Sequence, residues 1–435
     1  MPIPFLINVF YQGWPEHFPS PLKVLATTSA VGSLALLKRY CNGALNSADR
    51  NMHGRVVLMT GGTSGIGAEV ARELAGRGAQ LVLLTRLPAS DPFLVEYIDD
   101  LRARTGNQMI YTEQVDLTDL LSVRQFATKW IDNAPPRRLD MIILCAATLT
   151  PPGKSRIVTK DGVEETWMVN YLANFHLLGI LSPAIKAQPF DRDVRIIFST
   201  CSSYIRSPLL EDAKVHATNK KEWAPGRAYA SSKLALMTFA QAFQKHLDSY
   251  KRPDELPMNA KVIMVDPGFS KTPGMRRWLT RGSLWGLLVY LLSYALMWMF
   301  LKPPLMAAQS ILFAAFDGSI IRDPGGKLIK ECIEVDLARK DVKDEEAAKK
   351  LWLSSDKLIE TTEKQAALRK AEEKKRREEA ENQEKTEQEK KQRAEEIEAL
   401  VNTIKKGKAK EKEEAAKKKK GKDKKTGQSG KKAAS

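Results

Sequence analysis

Gly61, Gly65 and Gly67 lie between a short apolar run, 55–60, and a stretch of helical periodicity, 68–78. A buried strand that ends in glycines and feeds a helix leaves few ways to continue the chain. The same alternation then repeats, with further apolar runs at 79–85, 108–115, 141–146, 194–200 and 260–265 and amphipathic stretches between them. Strands alternating with helices imply parallel β-α-β units. The expected fold class is therefore α/β, with a doubly wound parallel sheet.

The glycine loop has a chemical reading. Its glycines allow a tight turn and close approach to a pyrophosphate, and the following helix offers unpaired N–H groups and its positive dipole end. Gly61, Thr63, Ser64, Gly65, Ile66 and Gly67 are the candidate contacts. Such a loop alone is equally a plain turn; its place after a strand and before a helix favours a dinucleotide and a Rossmann-type sheet. A ribose 2′-hydroxyl is usually held by an acid at the end of the second strand. Thr85, Arg86 and Leu87 stand there instead. Arg86 suits the 2′-phosphate of NADP through a charge-assisted contact, which favours NADP (NADPH) over NAD; a solvated surface Arg is the plainer alternative. Asp116 closes the third strand and is placed to hold the adenine amino group.

Four separated motifs carry a resemblance: the glycine loop, Asn170, the pair Tyr229 and Lys233, and Asp266-Pro267-Gly268. Together they resemble the short-chain dehydrogenase/reductase superfamily, and its retinol-dehydrogenase-like branch in particular, over about 54–360. The resemblance implies that Tyr229 is the acid/base of a hydride transfer between a nicotinamide and a carbonyl. It implies too that Asn170 carries a water linking Lys233 to solvent, and that Pro267, Gly268 and Thr272 form the loop over the nicotinamide. Chemically, a phenol of pKa near ~10 is a poor catalyst at neutral pH. Lys233, four residues on, shares its helix face, and its ammonium is expected to lower the Tyr pKa and to hold the nicotinamide ribose.

Two departures stand out. The family places a carbonyl-polarising Ser after the fifth strand. An ungapped count puts Cys201 there, with Ser202 one residue on; Ser202 is the choice if the strand end bulges, because a thiol is the weaker donor. At 145–148, Cys145, Ala146, Ala147 and Thr148 replace the family's Asn-Asn-Ala-Gly.

Three appendages surround the 54–360 domain. The leader, 1–53, holds an apolar stretch at 25–37, too short to cross a bilayer and read as an interfacial anchor, with a helix packed on the domain as its rival. An insertion at 282–301 lacks any charge and, as one helix, would be ~30 Å long, the hydrocarbon thickness. The helix and strand expected after it belong to the same sheet, so a single crossing is excluded. A monotopic or re-entrant lid on a lipid surface is expected, with a buried lid or oligomer interface as its rival. Beyond residue 360, Glu, Lys, Arg, Gln and Ala dominate: a charged helical segment over 361–404, a coiled coil being less favoured, then a disordered tail at 405–435.

The formal charge of +17 misleads as a bulk figure, because 405–435 holds 14 lysines and 4 acids. That tail suits anionic lipid; with no interleaved aromatics it lacks the means for specific nucleic-acid recognition. The four cysteines are too far apart for a disulfide framework or a zinc site, so no metal is expected. The expected function is an NADP(H)-dependent oxidoreductase interconverting a lipophilic alcohol and its aldehyde or ketone at a membrane or lipid-droplet surface. Endoplasmic reticulum or lipid droplet is the expected location, mitochondrion a further one, and a homodimer is common in such a family. The rival from another class is a catalytically impaired cofactor-binding membrane protein acting as a scaffold through its charged tail.

Overall fold

The computed structural model describes residues 10–11, 20–210 and 223–426. The chain divides into two compact units, Met1–Lys364 and Gln365–Ser435. In the first, the expected alternation is realised. β1 (Val56–Thr60), α2 (Gly65–Gly76), β2 (Gln80–Thr85), α3 (Pro92–Thr105), β3 (Ile110–Gln114), α4 (Leu120–Ile131) and β4 (Met141–Leu144) follow the helix α1 (Pro21–Asn42). Then come α5 (Glu165–Lys186), β5 (Val194–Ser199), α6 (Pro225–Asp248) and β6 (Ala260–Asp266). The sheet order is β3-β2-β1-β4-β5-β6, parallel throughout, extended by β7 (Lys327–Lys330) and an antiparallel β8 (Ile333–Val335).

Burial on both faces explains why these strands read as continuous apolar runs. Along β1, Val56 and Leu58 pack with residues of α4, α5 and α6, while Val57 and Met59 pack with residues of α2, α3 and the later helix α10 (Pro304–Phe316). α5 is, among the described residues, the one helix long and apolar enough to cross a membrane, but 72% of that window is buried in the domain. It is a core helix.

Between β6 and α10 the chain forms α7 (Pro273–Leu279), α8 (Leu284–Leu292) and α9 (Tyr294–Phe300). The single helix expected over 282–301 is therefore corrected to two short ones, broken at Ser293. The excursion returns to its starting point: Lys302 N donates to Phe269 O at 2.9 Å and Lys271 N donates to Lys302 O at 2.8 Å.

The last helix, α11, runs Glu345–Thr426. In the first unit its opening turns bury Leu351 and Ile359, and Ser355 Oγ lies 2.7 Å from Tyr171 Oη. The second unit is a charged helix with exposed side chains and its own i,i+4 pairs, such as Lys417–Glu413 at 3.1 Å. Helix rather than the expected disorder runs from 405 as far as Thr426, supported in its first part by Glu–Lys spacing such as Glu413 with Lys417. Residues 427–435 lie outside the described residues, as do 1–9, 12–19 and 211–222.

Candidate active site

In-register pairing brings the strand ends together. Thr60 pairs with Leu84 and Leu144, Leu144 with Phe198, and Ser199 with Val265. The strand order reverses between β1 and β4, and a crevice outside the carboxyl ends at such a reversal is where open α/β sheets bind ligands.

The glycine loop occupies that point, and the local geometry requires glycine. A Cβ on Gly67 would lie 2.1 Å from Gly61 O, and one on Gly61, whose φ is 70°, would lie 2.7 Å from Ala146 N. The loop is pinned from outside by Tyr97, whose hydroxyl donates to Gly62 O at 2.8 Å; burial pushes the Tyr97 pKa up to about 12. Ser64 is the N-cap of α2 but makes no side-chain bond to its first turn, and that turn holds no acid. The N–H groups between Ser64 and Gly67 are thus aimed from a helix start that favours an anion. Thr63 is half-buried beside them, and Ile66 packs on the core. Such a cradle fits a dinucleotide pyrophosphate.

Arg86 follows β2 directly, is exposed, and enters no ion pair among the described residues. Asp116 is half-buried at the end of the third strand, its Oδ1 accepting from Thr118 N at 2.9 Å and Thr118 Oγ1 at 2.7 Å. Gly268 turns with φ 77°, its N–H donating to Asp266 Oδ1 at 2.9 Å. Beyond Pro267 and Gly268 the loop runs back to the glycines. A Cβ on Gly65 would lie 3.2 Å from the Thr272 methyl, while Thr272 Oγ1 caps α7 by accepting from Met275 N at 3.2 Å.

Asn170 sits within a π-helical turn of α5, Met168–Leu172, and is fully buried. The wider turn directs its amide to the loop after β4. Oδ1 accepts from Thr148 N at 2.8 Å, and Nδ2 donates to Thr148 O and Ser232 Oγ, each at 3.0 Å. Both amide protons are thereby committed. Asn170 pins the altered 145–148 segment to α6, so Thr148 retains the tether without the family's residues.

Tyr229 and Lys233 lie on α6, the ammonium 5.7 Å from the Tyr ring centroid and donating to Ser199 O at 3.0 Å. The expected lowering of the Tyr pKa is not what this geometry gives. Burial holds the phenol well above its usual pKa, with Cys201 and Asp266 adding to it, because Lys233 points to a carbonyl rather than to the phenol oxygen. Burial also lowers the pKa of Lys233, opposed by Cys201, Cys145 and Asp266.

Backbone decides which of Cys201 and Ser202 faces the phenol. Cys201 is extended (φ −164°, ψ 159°), so β5 runs on without a bulge and the ensuing turn starts at Ser202. Cys201 Sγ therefore faces Tyr229 Oη at 3.6 Å, with Ser203 Oγ 2.7 Å from the sulfur. Ser202, the residue chosen from the sequence, donates instead to Asp266 Oδ2 and receives a bond from Lys330 Nζ at 3.2 Å. The corrected set next to the phenol is Cys201 backed by Ser203. Asp266 was read as part of a motif only; its buried carboxylate ties Ser202, Gly268 and, at 3.7 Å, Lys330.

A family profile described as short chain dehydrogenase matches residues 55–208. The chain is 41% identical over 371 residues to an uncharacterized oxidoreductase, pbr1, of Schizosaccharomyces pombe, covering 85% of this chain and 98% of that one. It is 28% identical to retinol dehydrogenase 13 of Mus musculus, over 79% of this chain and 95% of the relative. Polyprenol dehydrogenase of Mus musculus is 29% identical, over 76% and 91% respectively. A crystal structure of an uncharacterized Mycobacterium paratuberculosis protein shares the fold, with a TM-score of 0.52 at 23% identity, over 73% of this chain and 98% of the other. With Tyr229, Lys233 and the glycine cradle all gathered at one sheet edge, relatives of this extent place the chain in the short-chain dehydrogenase/reductase superfamily, in its retinol-dehydrogenase-like branch, as an enzyme acting on CH–OH groups with NAD(P).

Proposed function

We propose that the protein is an NADP(H)-dependent oxidoreductase interconverting a lipophilic alcohol and its aldehyde or ketone at a membrane or lipid surface, on the endoplasmic reticulum or a lipid droplet, with the mitochondrion a further site. The observation that carries the reading is the convergence of Tyr229, Lys233 and Cys201 beside the glycine cradle. A nicotinamide, when bound, supplies or takes up the hydride. The cradle from Gly61 to Gly67 would hold its pyrophosphate, Arg86 the 2′-phosphate, Asp116 the adenine, and Pro267, Gly268 and Thr272 the nicotinamide end.

In the reducing direction Tyr229 gives its proton to the alkoxide as it forms. Burial keeps the phenol protonated but makes it a weaker acid, so the proton moves only to a base as strong as the forming alkoxide. Lys233 donates to Ser199 O in this structure; with the cofactor bound its ammonium would hold the nicotinamide ribose, and it stabilises the phenolate only on turning from that carbonyl. Cys201 donates to the same carbonyl oxygen, more weakly than a hydroxyl does. The apolar pair α8–α9 follows α7 and ends at Lys302, which pairs back onto Phe269 beside the Pro267–Gly268 loop; this placement supports an apolar substrate delivered from lipid.

The test is NADPH oxidation with long-chain aldehydes and ketones, wild type beside Tyr229→Phe. Turnover that vanishes in the mutant supports the reading. A second reading, a cofactor-binding scaffold with decayed chemistry, draws on Cys201 standing where a hydroxyl is expected. Full rescue by Tyr229→Phe in cells lacking the protein, with loss of rescue when the charged tail is deleted, would favour the scaffold.

A further inference from the structure

α1 and the pair α8–α9 are some 240 residues apart in sequence, yet they meet. Lys38 Nζ on α1 donates to Trp298 O and, at 3.3 Å, to Leu301 O, and it sits over the Trp298 ring at 4.9 Å from the centroid. The two elements present large apolar side chains outward: Leu22, Leu25 and Leu36 from α1, and Leu284, Trp285 and Leu292 from α8, each at least 65% exposed. Single exposed leucines are ordinary on a protein surface, but this many large apolar side chains exposed on two elements in contact mark a binding surface.

Three further observations say what covers it. The first is internal satisfaction of polar groups. Thr27 Oγ1 bonds Lys23 O at 2.9 Å, Thr28 Oγ1 bonds Val24 O at 2.8 Å and Ser293 Oγ bonds Val289 O at 2.8 Å. Hydroxyls folded back onto their own helix suit hydrocarbon, where no water can satisfy them. The second is length. The uncharged part of α1 is 24–37, and α8 and α9 have 9 and 7 residues, all short of the ~20 needed to span a bilayer. The third is charge. No Asp or Glu occurs between Glu16 and Asp49, or between Asp266 and Asp317. Both segments are instead flanked by exposed cations, Lys23 and Arg39 on one side and Arg276, Arg277 and Arg281 on the other, and no ion pair among the described residues engages the three arginines.

We propose that α1 and α8–α9 form one composite face that inserts in the plane of an anionic phospholipid surface, with Arg276, Arg277 and Arg281 contacting the headgroups. The proposal rests on the lipid-surface reading above and names the surface's chemistry and the residues that read it. A second copy of the chain is the weaker occupant, since two acid-free, cation-rimmed faces repel. The hairpin root at Lys302, paired with Phe269 and Lys271, sets this face directly beside the loop of Gly268.

The test uses the full-length protein in co-sedimentation with vesicles of phosphatidylcholine, alone or mixed with phosphatidylserine. Two exposed-residue variants accompany it: Arg276→Gln/Arg277→Gln/Arg281→Gln and Leu284→Ser/Leu292→Ser. NADPH binding is measured for each as a separate readout of the folded core. The expected result is preference for the mixed vesicles and, with NADPH binding unchanged, about a 100-fold weaker attachment of the triple variant, from the attraction of each basic residue to an anionic surface. High salt screens the Lys-rich tail, and under it the residual binding of wild type should be lost in the leucine variant. Equal binding of the triple variant and wild type overturns the proposal. So does a concentration-dependent dimer abolished by Leu284→Ser/Leu292→Ser with vesicle binding intact, which would make a second copy the occupant. Wild type that attaches to vesicles but binds no NADPH leaves the docking face standing and sinks the oxidoreductase reading alone.

Discussion

The sulfur of Cys201 lies 3.6 Å from the phenolic oxygen of Tyr229, with the thiol donating. In the proposed mechanism that thiol, rather than a hydroxyl, polarises the substrate carbonyl. Loss of a full-strength donor at such a position costs roughly 100-fold or more, and a thiol starts from less. Cys201→Ala should lower kcat/KM by about tenfold, and Cys201→Ser should raise it by up to about tenfold. Steady-state kinetics on any accepted carbonyl decides this. A Ser variant slower than wild type would show that the sulfur itself is required.

Ser202→Ala has a different signature. Its hydroxyl serves Asp266 and Lys330 rather than the phenol. Removing it leaves a buried carboxylate with one partner fewer, at a cost of about 1–3 kcal/mol of stability. The expected outcome is a lower denaturation midpoint with kcat changed less than about threefold, well below the loss of a catalytic donor. A kcat loss matching that of Tyr229→Phe would return Ser202 to the catalytic set.

Asn170→Ala removes three hydrogen bonds and leaves Thr148 N–H and Ser232 Oγ short of partners. A stability loss of about 2–3 kcal/mol is expected. Asn170→Asp keeps the acceptor for Thr148 N but turns an oxygen onto Thr148 O and buries a charge, and should be destabilised at least as much. Chemical denaturation of the three proteins orders them. Equal stability of all three would contradict the tether.

His176 is buried on α5, 3.3 Å from Glu363. Burial and then the Arg124 guanidinium lower its pKa to about 4, because Arg124 already engages that same carboxylate at 2.7 Å. A folded-state pKa below the unfolded one means that the unfolded chain binds the extra proton first. The stability contributed is complete above about pH 6.5 and is lost as pH falls toward 4, by about 1–3 kcal/mol. Denaturation midpoints against pH should show this slope in wild type and a shallower one in His176→Gln. Identical slopes would assign the acid sensitivity to other groups.

The strands were legible because they are buried on both faces, as the matched apolar runs around Leu58, Ile142 and Ile263 show. The cradle was legible because Gly61 and Gly67 are required by close backbone contacts that no other residue permits. What stayed hidden depended on backbone that residue type does not announce. The turn joining β7 to β8 places Glu331 and Cys332 at φ 53° and 58°, conformations normally signalled by Asn or Gly, so the hairpin gave no warning. Whether β5 ends at Ser199 with a bulge or runs extended through Cys201 is a matter of one torsion pair, and it decides which side chain meets Tyr229. Hydropathy over 282–301 could not reveal the break at Ser293, whose hydroxyl bonds Val289 O.

Titration of the purified protein with NADPH and NADH, beside Arg86→Ala, shows whether the chain holds a nicotinamide nucleotide and whether Arg86 reads its 2′-phosphate. NADPH is expected to bind more tightly, with a loss of about 10- to 100-fold in the variant for NADPH alone, since a charge-assisted contact to phosphate is at stake. Preference for NADH, or an Arg86→Ala protein that binds NADPH like wild type, would contradict the anchor. Folded protein that binds neither would contradict the site.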